Sequence, residues 1–158
     1  MNSSRRYVFE VRRSIDDETA FFAKMGRFFA SATVRRECGG YPLNDGPRYR
    51  WFTVRHENDP RVLGFISIEH LADEVRIREG YLRVEARDKG LFRELRNRVL
   101  AYIDERGLAA RVQALQSNVS LLEPYGFEVQ SVRGQWVTLR RNRYAESRTA
   151  DQSCCSVV

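Results

Sequence analysis

Lysine is nearly absent from this chain. Only Lys24 and Lys89 occur, although Lys and Arg together number 27 in 158 residues and the formal net charge is +6. Positive charge is therefore carried almost wholly by arginine, whose planar guanidinium grips phosphate through two hydrogen bonds where an ammonium offers a point charge. That composition suits a nucleotide-bearing cofactor or a nucleic acid, and equally a solvated face, since many of these arginines are interleaved with Asp and Glu. Histidine is as scarce: His56 and His70 stand alone, 14 residues apart in the sequence. They read as surface strand residues, and with no His-Glu-x-x-His, paired Cys or His cluster nothing suggests a metal. The three cysteines are an odd count, and Cys154 and Cys155 are neighbours in a polar tail that could close no useful loop, so reduced thiols are expected. Cys38 lies beside Gly39-Gly40, but no basic partner can be placed next to it from sequence, which leaves it without the base a nucleophile needs. No apolar run approaches the ~20 residues of a membrane span. The N-terminus MNSSRRYVFEV has no apolar segment followed by a small-residue cleavage site, and the expectation is a cytoplasmic protein. Absence of Gly-x-x-x-x-Gly-Lys-Ser/Thr and of Gly-x-Gly-x-x-Gly argues against an ATPase and a Rossmann dehydrogenase.

What is present fits one domain, expected over residues 1–141, with a polar composition that predicts a disordered tail from 142 to 158. YVFEV (7–11) reads as a strand. Ser14, Asp16 and Asp17 then offer N-cap oxygens to a helix whose apolar stripe, Phe21, Met25, Phe28/Phe29 and Ala32, runs to about Arg36. CGGYPLNDGP (38–47) is too rich in Gly, Pro, Asn and Asp for regular structure. WFTVRH (51–56) and VLGFISIEH (62–70) flank the Asp-Pro turn ENDPR as an antiparallel hairpin. In EVRIREGYLRVE the apolar alternation changes phase, Val75 and Ile77 on odd positions and Leu82 and Val84 on even ones, which predicts a β-bulge at Glu79-Gly80-Tyr81. Leu91, Leu95, Val99, Tyr102 and Ile103 make one face of a helix ending at Gly107. A strand over 109–118, a short helical turn VSLLEPY, and a hairpin of FEVQSV with QWVTLR around Arg133-Gly134 complete a mixed α/β (α+β) layer fold without internal repeats.

The stretch ARDKGLFRELRNRV (86–99) carries chemistry. The first turn of a helix has N–H groups without intrahelical partners and the positive end of the helix dipole, so a basic, Gly-containing turn leading into it can cradle a phosphate. Gly90 lets the backbone approach closely, Arg87 and Lys89 add charge, and the amides from Asp88 to Phe92 could share one hollow. A tight strand-to-helix turn with solvated charges would use the same residues.

With that motif in place the chain resembles the GNAT superfamily of N-acyltransferases. Their acyl-CoA motif, Arg/Gln-x-x-Gly-x-Gly/Ala between a bulged fourth strand and the third helix, is matched by Arg87-Asp88-Lys89-Gly90-Leu91-Phe92. Asn118 at a strand end and Tyr125-Gly126-Phe127 before the last hairpin follow in the family's order. The resemblance implies a mostly antiparallel central sheet with a bulged fourth strand and helices on both faces. It implies acetyl-CoA or another acyl-CoA as donor, with the diphosphate held around Lys89, Gly90, Leu91 and Phe92 near Arg87, Asp88 and Arg93. The pantetheine arm would hydrogen-bond the strand around Glu79 to Leu82, Tyr81 and Leu82 included, and Asn118 would contact the same arm. Acyl transfer to an amine needs a base and an oxyanion donor, and Glu79 beside the bulge is the first candidate base, with Glu69 on the preceding strand second. Tyr125 is the candidate to return a proton to the thiolate.

Two positions depart from the family pattern: Phe92 stands where the motif ends in a small residue, and Leu122 stands four residues before the Gly-Phe pair, where a Tyr is frequent. The rival expectation is therefore a catalytically degenerate GNAT-like module that binds nucleic acid or protein. For the acceptor amine, the Arg-rich ends Arg5-Arg6, Arg12-Arg13 and Arg140-Arg141-Arg143 would suit a nucleic acid, and the chain would act as a monomer or homodimer. The terminal CSVV formally resembles a prenylation box.

Overall fold

The computed structural model describes residues 6–143. The expectations for the tail, CSVV, Cys154 and Cys155 lie outside the described residues. The elements are β1 (Tyr7–Arg12), α1 (Glu18–Phe29), α2 (Ala32–Glu37), β2 (Tyr49–His56), β3 (Val62–His70), β4 (Glu74–Leu82), α3 (Leu91–Glu105), β5 (Ala109–Leu115), α4 (Val119–Leu122), β6 (Glu128–Arg133) and β7 (Trp136–Arg141). The strands hydrogen-bond in the order β1-β2-β3-β4-β5-β7-β6. Pairing is antiparallel for β1 with β2, β2 with β3, β5 with β7 and β6 with β7, and parallel for β4 with β5. The expected mixed fold with a mostly antiparallel sheet is what the chain adopts.

Two compact units divide the chain, the first comprising residues 6–70 and 78–100 and the second 71–77 and 101–143. The first unit is organised by aromatic packing. Trp51, fully buried, meets the rings of Phe21, Phe29, Tyr49 and Phe65 at centroid distances of 5.1–6.2 Å. Phe28 joins Phe65 to Tyr81. Phe21, Met25 and Phe28, the stripe read from sequence, are the buried face of α1. In the second unit Val75, Ile103, Ala110, Val112, Phe127, Val137 and Leu139 are buried.

The helix expected to run to Arg36 is instead two. Asp17 caps α1 by accepting from Ala20 N at 3.0 Å. The backbone then opens at Ser31, whose hydroxyl accepts from Val34 N at 3.2 Å and starts α2. A second N-cap inside the apolar pattern stops a helix that periodicity alone extends. The strand expected over 109–118 ends at Leu115, and Gln116–Asn118 form a tight 3-10 turn. Gly107 does close α3, with φ +61° and Leu108 N donating to Ile103 O.

The phase change in β4 has a counterpart in its register with β3. Leu71 N donates to Glu74 O across the turn, whereas Arg83 N donates to Leu63 O at the far end. One more residue separates Glu74 from Arg83 than separates Leu63 from Leu71, so β4 carries an extra residue. Near that irregularity the Glu79 amide donates to the Ser67 hydroxyl, 3.2 Å away.

Candidate active site

Within the first unit, the end of β4, the turn at Arg87 to Gly90 and the N-terminus of α3 line an open cleft of about 370 Å³. Of the residues expected to hold a cofactor, Tyr81, Leu82, Arg87, Asp88, Gly90, Leu91, Phe92 and Arg93 line it. Lys89 lies in the same turn but outside the lining, its ammonium donating to Glu85 O at 3.3 Å. Asn118 and Tyr125 belong to the second unit, in the 3-10 turns Gln116–Asn118 and Glu123–Tyr125, where Tyr125 O accepts from Arg141 Nε at 2.7 Å.

Asp88 and Gly90 both have left-handed backbone, φ +64° and +76°. Gly90 O accepts the first helical bond, from Glu94 N, so the amides of Leu91, Phe92 and Arg93 precede the helix's own ladder. Nothing lies within 4 Å of the position a Gly90 side chain would take, so only the positive φ requires glycine there. A left-handed aspartate two residues earlier is conformationally costly, as functional turns commonly are.

Arg87 is held from three sides. Its Nε donates to Leu82 O at 2.9 Å, its Nη2 to Glu37 Oε2 at 2.9 Å, and its guanidinium stands 5.7 Å from the Tyr81 ring centroid. Glu37, the last residue of α2, also lines the cleft and is the residue the sequence reading missed. It stands 50 positions from Arg87, and no local pattern signals such a pairing. The Tyr81 ring packs against the aromatic core.

Phe92 occupies the site where a small residue was sought. Its ring covers Gly80: a Cβ built on Gly80 would fall 2.6 Å from Phe92 Cζ and 3.4 Å from Ile66 Cγ1. The cleft therefore remains, with the ring as part of its wall. The Arg96 guanidinium lies 5.7 Å from the ring centroid.

The two candidate bases flank one guanidinium: Arg78 is 3.9 Å from Glu69 Oε1 and 3.9 Å from Glu79 Oε1. The buried Ser67 hydroxyl lies 3.4 Å from Glu79 Oε2. Cys38 Sγ is 3.7 Å from Gly80 O, and burial, followed by the charges of Glu79 and Glu37, pushes its thiol up to about 12. A thiol so placed is protonated at neutral pH and is no nucleophile. Raised above its value in the unfolded chain, it favours the folded state below about pH 9, and that contribution is lost as pH rises toward 12. Iodoacetamide at pH 8, read by peptide mapping, should leave Cys38 unmodified in folded protein and alkylate it after denaturation; equal labelling in both would refute the assignment.

Among the described residues no group of His, Cys, Asp and Glu could hold a metal ion. His56 Nδ1 accepts from Asn58 N at 3.1 Å. Among the described residues no helix is long and apolar enough to cross a membrane. The Arg-rich ends are largely spent on ion pairs: Arg12 with Glu10, Arg13 with Asp16, Arg140 with Glu74 and Arg141 with Asp104. Arg27, Arg35 and Arg36 on α1 and α2 have no carboxylate partner among the described residues.

No protein-family model matches the chain, and no curated protein matches it significantly. Solved structures do. An acyl-CoA N-acyltransferase from Pseudomonas aeruginosa superposes with TM-score 0.66 at 14% identity, covering 85% of this chain and 99% of that one. The ribosomal-protein-S18-alanine N-acetyltransferase from Escherichia coli gives 0.61 at 15% identity over 85% and 90%. An N-acetyltransferase from Thermoplasma acidophilum, solved in complex with coenzyme A, gives 0.55 at 16% over 85% and 99%. The strand order, the irregular fourth strand and the cleft beside the third helix thus belong to a chain with the GNAT N-acyltransferase fold.

Proposed function

We propose that this protein is an acyl-CoA-dependent N-acyltransferase whose donor enters the cleft between β4 and the N-terminus of α3. The observation that carries the reading is the convergence there of unladdered amides at Leu91 to Arg93, two left-handed turn residues and the Arg87 guanidinium. Residues 87–93 would take the diphosphate, and the irregular strand from Glu79 to Leu82 the pantetheine arm. In the transfer itself an amine nitrogen attacks the thioester carbonyl carbon, the C–N bond forms, the C–S bond breaks, and the proton lost by nitrogen balances the one gained by the thiolate. Glu79, steadied by Ser67 and Arg78, is the first candidate to accept that proton, with Glu69 second. Tyr125 is the candidate proton donor and Asn118 a candidate contact for the arm. For the acceptor, the charge favours a nucleic acid met by Arg27, Arg35 and Arg36, which have no acid partners among the described residues, rather than by the chain ends.

Calorimetric titration with acetyl-CoA tests the reading. Binding is expected, weakened about tenfold by Arg87→Ala, since a charge-assisted contact to a phosphate is worth 1.5–3 kcal/mol or so. Folded protein that gives no heat overturns it. One observation favours a second reading, a non-catalytic module: the Phe92 ring already lies on Gly80, where the arm would run. In that case acetyl-CoA gives no heat while a labelled oligonucleotide still binds.

A further inference from the structure

Strand β6, EVQSVR, ends the strand order, and all six of its residues are exposed. An edge strand presents outward N–H and C=O groups ready to pair with another strand. The register with β7 shows how its side chains are distributed. Glu128 pairs with Arg140 and Val129 with Leu139, but Ser131 pairs with Thr138 and Val132 with Val137, so Gln130 is an extra residue without a partner on β7. This bulge sets Val129 and Val132 on one face, the face of the buried Val137 and Leu139, and Glu128, Ser131 and Arg133 on the other. Val129 and Val132 nevertheless remain 47% and 58% exposed, an apolar strip that continues the core face of the second unit into solvent. Neither the Glu128 nor the Arg133 side chain has a partner among the described residues.

The strand is complementary to itself. We propose that β6 pairs antiparallel with β6 of a second copy of this chain, around a two-fold axis normal to the sheet and passing at Ser131. Such an axis keeps each face on its own side, so partners must share a face. With Gln130 bulged, Val129 meets the second copy's Val132, Glu128 meets its Arg133, and the two Ser131 residues meet at the axis. Each charged pair is repeated by symmetry, and the four valines close one strip. Without the bulge Glu128 and Arg133 would lie on opposite faces and could not pair. A bulge commonly turns an edge away from association; in β6 it supplies the parity that association requires. The partner is thus a second copy, and the inference is independent of the acyl-CoA reading because β6 contributes nothing to the cleft.

Sedimentation velocity over a dilution series tests it. The native chain is expected to reach a dimer that dissociates on dilution. Glu128→Arg and Arg133→Glu each set like charges opposite one another twice per dimer and should raise the dissociation constant at least about tenfold. The combined Glu128→Arg/Arg133→Glu variant restores both pairs and should recover the native value. Both substituted residues are exposed, and a thermal melt of each variant verifies folding. A chain that stays monomeric up to about 0.1 mM overturns the proposal, as does a dimer indifferent to the single changes or one that the double change fails to recover. Such a result leaves acetyl-CoA binding by the cleft unaffected, so the two readings fail separately.

Discussion

Gly80→Val should abolish acetyl-CoA binding and lower stability together. A β-carbon at this position falls 2.6 Å from Phe92 Cζ, closer than non-bonded carbons approach, and 3.0 Å from Cε2, a tight contact. The obstructing atoms are the far end of a side chain, so the ring gives way rather than the strand, and the space open to it is the cleft. The overpacking costs about 1–3 kcal/mol, and the displaced ring then occupies the volume that the donor's arm requires. The paired change Gly80→Ala/Phe92→Ala removes the collision and should recover both stability and binding. Thermal melts and acetyl-CoA titrations of native, Gly80→Val, Gly80→Ala and the double variant form the test. Native affinity in Gly80→Val would mean that the arm does not pass between β4 and α3.

Trp51→Ala should bring the largest loss of stability of any single change in the first unit. Its ring touches four aromatic neighbours, is fully buried, and its Nε1 donates to Asp45 Oδ1 at 2.9 Å. Deleting a buried Trp leaves a cavity that rings held by their own neighbours cannot fill, a loss of about 3–5 kcal/mol. At ~2–4 °C per kcal/mol for a chain of this size, the melting temperature should fall by roughly 6–20 °C. The same change frees Asp45 in the 38–47 loop, whose first residue sits against Gly80 O. Trp51→Phe keeps most of the packing and loses the Asp45 bond, so its shift should be much smaller. Equal shifts for the two variants would show that the hydrogen bond, and not the ring cluster, holds this region.

Stability falls fastest where aromatic rings support one another, and the site is built on the same rings. Tyr81 links the core to the cleft: its ring packs on Phe28 and Phe65 while Arg87 lies over it. The cation that would meet the donor's diphosphate is therefore positioned by the core. Glu37 adds a competing anion. A diphosphate entering the cleft must share Arg87 with Glu37 or displace it, and the exchange is modest in energy because the pair is exposed.

Patterns of short range were legible in the residues themselves. The apolar face of α3 at Leu91, Leu95, Val99 and Ile103, the cap at Asp17, the stop at Gly107 and the hairpins are set by side-chain period, capping chemistry and glycine's freedom at positive φ, all local properties. The irregularity of β4 was legible for the same reason, since a phase change in alternation records an inserted residue. Local chemistry also misled: Ser31 reads as one more helical residue until the chain is seen to leave the helix there.

What required the folded chain are the relations between distant residues. Glu37 meets Arg87, Phe92 covers Gly80, Trp51 reaches back to Asp45, and the arginines of the chain ends find acids where Arg27, Arg35 and Arg36 find none among the described residues. No local period encodes these, because each follows from which surfaces the strands and helices bring together when apolar area is buried. The sequence by itself determined most of the elements and the basic, glycine-containing turn ahead of α3. The tertiary structure decided which carboxylate faces that turn, which ring narrows its cleft, and that the bulged edge of β6 carries matching charges on one face and matching valines on the other.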